Sequence, residues 1–183
     1  MTPAEAYALL MDQTRGLLAD VPDLRDFAGD GLVGLEQVAL PPRGLPVLPE
    51  LIACTARTPP QTQALAQTIR TAAPLLHWKQ SYTKSQVGVA HQLRYGWFNL
   101  VSPEGPFVSA AFRVSVGYWG QGLVYPRHRH DPEEIYCVLA GGAVFETEGR
   151  PVVVAGPGTL VHHPSAIWHG MQMVSEPLLA LAI

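Results

Sequence analysis

The sequence is poor in cysteine and poor in charge. Only Cys54 and Cys137 are present among 183 residues. One pair cannot build a disulfide framework or a thiolate metal site, and a reducing, cytoplasmic setting is the expectation. Charged residues make up 15% of the chain, against about 25% in an average domain. The 12 basic and 15 acidic side chains give a net charge of −3. No Lys/Arg stripe exists, which argues against nucleic-acid and anionic-membrane partners. No uncharged apolar run approaches the roughly 18 residues of a spanning helix. The opening segment, MTPAEAYALLMDQTRG, has neither a basic leader nor a long apolar stretch, so a signal peptide is not expected.

Hydrophobic residues, at 48%, are ample for a sizeable core, and 17 glycines with 17 prolines demand many turns. The first 81 residues read as a helical segment. Thr2-Pro3-Ala4-Glu5 is a capping box with proline at the first helical position, and Ala6, Leu9, Leu10 and Leu17 follow at helical spacing. Pro49 to Ala56 suggests a short helix. Thr58-Pro59-Pro60-Gln61 reads as a second capping box. Beyond it Leu65, Ile69, Ala72 and Leu76 share one face, with Pro74 set to end or kink the helix.

From Tyr82 to Ile183 the pattern becomes short strands. They are expected at Arg94–Val101, Phe107–Val116, Glu134–Leu139, Ala143–Thr147, Val152–Ala155, Thr159–His163, Trp168–Val174 and Leu178–Ile183. Turns are marked by Gly141-Gly142, Glu148-Gly149 and Gly156-Pro157-Gly158, and the cluster Gly117, Gly120 and Gly122 is expected to interrupt the strand before it. Many short strands at regular spacing predict a mainly β fold, a small barrel carrying the helical segment on its side within one shared core.

Five of the seven histidines lie between residues 128 and 169. His128 and His130, two apart on a strand, share a face. Glu134, beyond the Asp131-Pro132 turn, can return to the same point. His169 on a later antiparallel strand would complete a three- or four-ligand site. Imidazoles with one carboxylate suit a single divalent transition metal: Fe(II), Mn(II), Zn(II), Co(II) or Ni(II). Of the adjacent pair His162 and His163, alternation sends only one inward. His77 and His91 lie outside this pattern and are read as structural or exposed.

Tyr136, two residues after Glu134, faces the same interior. It is either a hydrogen-bonded barrel filler or a phenol whose pKa, ordinarily about 10, a nearby cation would lower toward general-base use. Tyr125 precedes the ligand run. Cys137 points to the opposite face and reads as core.

The spacing Gly122-x5-His128-x-His130-x3-Glu134-x6-Gly141 matches the first cupin motif. Gly156-Pro157-Gly158, Pro164 and His169 follow the order of the second, with Met173 where that motif usually has Asn. The run Tyr125-x2-His128-x-His130-x3-Glu134-x-Tyr136, with Trp168-His169, more particularly resembles the cupin-type dimethylsulfoniopropionate (DMSP) lyases of the DddQ-like branch. Trp78-x3-Tyr82 and the helical leader resemble them too. The resemblance implies a single cupin barrel, a double-stranded β-helix or jelly roll, that splits DMSP into acrylate and dimethyl sulfide by β-elimination. It also implies a metal held by His130, Glu134 and His169, with His128 at the general cupin ligand position. Tyr136 would be a metal-proximal ligand or catalytic group and Tyr125 a candidate base.

A cationic sulfur favours an aromatic wall, for which Tyr118, Trp119, Trp97 and Trp168 are the candidates. Two other readings use parts of the same pattern. One is another metal-dependent cupin enzyme, such as a non-haem iron dioxygenase or an isomerase. The other is a non-catalytic small-molecule-binding cupin. A homodimer is the habit of cupins.

Overall fold

The computed structural model describes all 183 residues. Five helices and eleven strands follow in the order α1 (Pro3–Asp20), α2 (Pro22–Ala28), β1 (Glu36–Gln37), α3 (Leu48–Ile52), α4 (Pro60–Ala72) and α5 (Lys84–Leu93), then β2 (Tyr95–Ser102), β3 (Phe107–Val108) and β4 (Val114–Trp119). The barrel continues with β5 (Val124–His128), β6 (Glu134–Gly141), β7 (Ala143–Thr147), β8 (Val153–Ala155), β9 (Leu160–His163), β10 (His169–Gln172) and β11 (Leu178–Ala182). None of the helices is long and apolar enough to cross a membrane.

The strands form a seven-stranded sheet, ordered β1-β3-β2-β4-β11-β6-β9, and a four-stranded sheet, ordered β5-β10-β7-β8. The two make a single cupin barrel. Strand alternation divides its residues between two cores. On β4 and β11, Val114, Val116, Tyr118, Leu179 and Leu181 face the helices in a cluster of 33 buried residues. Trp119, Leu178 and Ala180 face the barrel interior in a second cluster of 14. The helical segment therefore shares its core with the outer face of the large sheet. Polar ties reinforce the seam. Thr62 donates to the Leu139 carbonyl at 2.7 Å, and Arg94 grips both carboxylate oxygens of Glu50 at 2.8 and 2.9 Å.

The expected capping box opens α1, where the Thr2 amide donates to Glu5 at 2.7 Å and the Glu5 amide to the Thr2 hydroxyl at 3.3 Å. The second box does not form. Pro59 is the N-cap of α4, and the Thr58 hydroxyl turns back to the Ala56 carbonyl at 3.1 Å. The helix starts one residue later than that box requires, and Pro59 as N-cap has no side-chain oxygen to accept from the first turn. Pro74 does end the helix regularly, in a 3₁₀ turn over Ala73–Leu75.

Two other expectations change. Strands do not begin at residue 82, because α5 intervenes. Its signature is Thr83-x2-Gln86, with the Thr83 amide donating to the Gln86 side chain at 2.8 Å. Gly88, at φ 82°, kinks it. Nor does the glycine cluster interrupt a strand at Gly117. The break comes earlier, between Val108 and Val114, and β4 runs through Gly117 to Trp119. Gly117 serves packing instead, since a Cβ there would lie 2.2 Å from the Trp119 indole.

A Gly117→Ala variant is therefore expected to lose about 1–3 kcal/mol of stability through overpacking. It should also displace the Trp119 ring, read by urea unfolding and indole fluorescence. Unchanged stability with an unchanged spectrum would contradict this packing role.

Candidate metal centre and aromatic cavity

The ladder brings four donors together. His169 and His128 are Cα partners across β10 and β5, so their side chains leave the same face of the small sheet. His130 follows two residues later. The Asp131-Pro132 turn then reverses the chain, and Glu134 opens β6 in the large sheet. One ligand atom from each of His128, His130, Glu134 and His169 lies within 4.8 Å of every other.

The hydrogen bonds behind these rings fix which nitrogen faces the centre. Nδ1 of His128 meets the Pro126 carbonyl at 2.9 Å, that of His130 the Pro132 carbonyl at 2.7 Å, and that of His169 the Ile167 carbonyl at 2.8 Å. A carbonyl only accepts, so each Nδ1 carries the proton and each Nε2 keeps a lone pair. The His169 Nε2 is buried without a hydrogen-bond partner, although Glu134 Oε1 is 3.0 Å away. The His130 Nε2 is 3.3 Å from the same oxygen. Three imidazole lone pairs and a carboxylate converging at such distances fit a divalent cation of borderline character.

Protons can also occupy this place, since an imidazolium donates from Nε2 to Glu134. Burial works against the Glu134 carboxylate, but His130 and His169 beside it outweigh burial and hold its pKa at about 2. Glu134 in turn raises His130, while burial lowers His128.

Next to this group lies a cavity of about 310 Å³. His128, His130 and Glu134 form one end, and Tyr82, Tyr95, Trp97, Trp119, Tyr125 and Tyr136 form an aromatic wall. The Tyr125 ring packs edge-on against His128, with centroids 5.0 Å apart. The hydroxyls of Tyr125 and Tyr95 are 3.2 Å apart, and that of Tyr95 is 3.2 Å from Ser81. Burial pushes Tyr95 up to about 12 and raises Tyr125 and Tyr136 well above the usual phenol value. In the protein alone these phenols stay protonated. A phenolate here requires a cation close by.

Of the proposed wall residues, Trp97 and Trp119 line the cavity. Tyr118 and Trp168 do not. Tyr118 neighbours Trp119 on β4, so alternation turns it to the helix side, where its hydroxyl reaches Glu50 at 3.4 Å. Trp168 precedes β10 and stays 38% exposed, with the Arg129 guanidinium 5.2 Å from its ring. Tyr95 was missed, although its place two residues before Trp97 on β2 puts it on the same face. The contribution of Ser81 had no local signal, because it comes from the turn ahead of α5. His91 is buried in the core of this wall, its ring stacked near Tyr125 at 22°. His163 is buried and His162 half-exposed, as alternation requires.

Comparison with known proteins yields consistent matches. The signature of the dimethylsulfoniopropionate lyase family matches residues 34–180. The chain is 34% identical over 175 residues to dimethylsulfoniopropionate lyase DddQ of Ruegeria pomeroyi, covering 92% of this chain and 87% of that one. The crystal structure of that DddQ superposes with a TM-score of 0.90 at 30% identity, over 97% of this chain and 90% of the other. A structure from work on the DMSP lyases RdDddP and RnDddQII gives a TM-score of 0.95 at 35% identity, over 99% and 92%.

If the four donors form one centre, Glu134→Gln and His169→Ala should each abolish stoichiometric binding of Zn(II) or Co(II), measured by titration calorimetry on chelator-stripped protein. Retention of one tightly bound ion in either variant would contradict the ligand set.

Proposed function

The chain belongs to the dimethylsulfoniopropionate lyase family and is a carbon–sulfur lyase, and on that premise we propose that it splits DMSP into acrylate and dimethyl sulfide. The observation that carries this reading is the meeting of two phenols with three imidazoles and one carboxylate at one end of an aromatic cavity. His128, His130, Glu134 and His169 would hold a divalent transition metal. Once bound, such an ion supplies the positive charge that makes a carbon beside a carboxylate, and a neighbouring phenol, more acidic.

The remaining steps belong to the side chains. Tyr125 or Tyr136, as phenolate, takes the proton from the carbon next to the substrate carboxylate. That C–H pair becomes the new C=C bond, the C–S bond breaks, and its electrons leave with sulfur as neutral dimethyl sulfide. The products are acrylate, the thioether and a protonated tyrosine, so no oxidant or reductant is required. Trp97, Trp119, Tyr82 and Tyr95 present aromatic faces suited to the sulfonium. With the rest of the wall they also thin the water around the reacting carbon.

The test is headspace dimethyl sulfide from DMSP with purified protein loaded in turn with Fe(II), Mn(II), Zn(II), Co(II) and Ni(II). Gas should appear with at least one ion. Removing the base should lower kcat by about 10²- to 10⁴-fold, in Tyr125→Phe or Tyr136→Phe, with metal content unchanged. Absence of gas with all five ions would sink the substrate assignment. Full turnover in both variants would sink the tyrosinate step.

A further inference from the structure

A fourth histidine is buried against the metal group and takes no part in the chemistry above. His163 ends β9, where it is the Cα partner of Glu134 on β6. It is 1% exposed. Its ring lies flat against the His169 imidazole, with centroids 4.3 Å apart and planes 13° from parallel. Tyr136 and Phe145 close its other sides at 5.6 and 6.0 Å. Its Nδ1 is 2.8 Å from the hydroxyl of Thr147, and its Nε2 is buried with no partner. Thr147 is therefore its single polar anchor.

Thr147 has its own relation to the metal group. It ends β7 and is the Cα partner of His169 on β10. The Thr147–His163 hydrogen bond thus joins the two sheets directly beside the four donors. One end belongs to the sheet that carries Glu134, the other to the sheet that carries His128 and His169. The carbonyl tether on the His169 Nδ1 restrains that ring at one atom. A flat neighbour restrains its tilt.

We propose that His163, anchored by Thr147, is a positioning residue for the metal centre, holding the plane of His169 and the spacing between His169 and Glu134. Groups that orient a ligand from behind typically alter metal affinity by about 10- to 100-fold when removed. The proposal rests on the metal reading of the site and is independent of the substrate.

The experiment measures Co(II) and Zn(II) affinity of chelator-stripped protein by competition with a chromophoric chelator, together with the visible absorption of the Co(II) form. His163→Ala should bind about 10- to 100-fold more weakly, with shifted Co(II) bands. Thr147→Val, which keeps the volume and loses the hydroxyl, should weaken binding by a smaller factor in the same direction. His163→Phe, which keeps a flat ring against His169, should recover part of the loss. Wild-type affinity and an unshifted spectrum in His163→Ala overturn the proposal, even if that variant is less stable. Should His163→Ala not fold, the same result in Thr147→Val overturns it. Wild-type protein that binds no Co(II) overturns this proposal and the metal reading together, whereas normal metal binding without dimethyl sulfide production bears only on the substrate.

Discussion

Three backbone hydrogen bonds govern the site. Each of His128, His130 and His169 gives its Nδ1 proton to a carbonyl two residues away in the chain, which leaves three Nε2 lone pairs facing the Glu134 carboxylate. Convergent acceptors repel one another unless a proton or a metal cation stands among them. The same need explains the phenols. Burial keeps Tyr125 and Tyr136 protonated, so only a positive charge at the donor group would make either one a base. The tethers thus decide where charge can sit, and charge decides what the aromatic cavity can do.

The fold supplies rigidity for that arrangement. Every residue of β6 beyond Glu134 is buried, because helices cover one face of the large sheet while the barrel interior fills the other. A strand packed on both faces has no freedom to slip, and Glu134 begins that strand. The small sheet brings His128 and His169 to meet it through direct pairing of β5 with β10. Four donors drawn from two sheets stay together only while those sheets are held in register. The helical segment contributes at a distance: Thr62 and the Arg94–Glu50 pair anchor it to the back of the large sheet, away from the cavity.

Much of this was legible in the sequence, for identifiable reasons. His-x-His, a turn and a glutamate are local, so strand periodicity alone places His128, His130 and Glu134 near one point. His169 needed only an antiparallel return. Parity also separated Tyr136 from Cys137 and His163 from His162. Applied to Tyr118 beside Trp119, the same parity would have turned Tyr118 away from the cavity. Trp168 falls to the same rule, since it stands beside the inward His169 in the strand expected at Trp168–Val174. The helix α5 carried a readable start at Thr83-x2-Gln86, whereas Thr58-Pro59-Pro60-Gln61 imitated one and failed because the helix begins at Pro60, one residue too late for Thr58 to cap it. Contacts between sheets were beyond reach: nothing local in Thr147 announces His163, sixteen residues on.

The central claim is that the donor group and the phenols act together to remove a proton beside a carboxylate. Its most direct measurement is the rate of dimethyl sulfide release from DMSP carrying deuterium on the carbon next to the carboxylate, before and after one equivalent of metal is returned to chelator-stripped protein. The account predicts no turnover when stripped, recovery at one equivalent, and slower release from the deuterated substrate. Turnover that persists in stripped protein, at the same rate for both substrates, would contradict it.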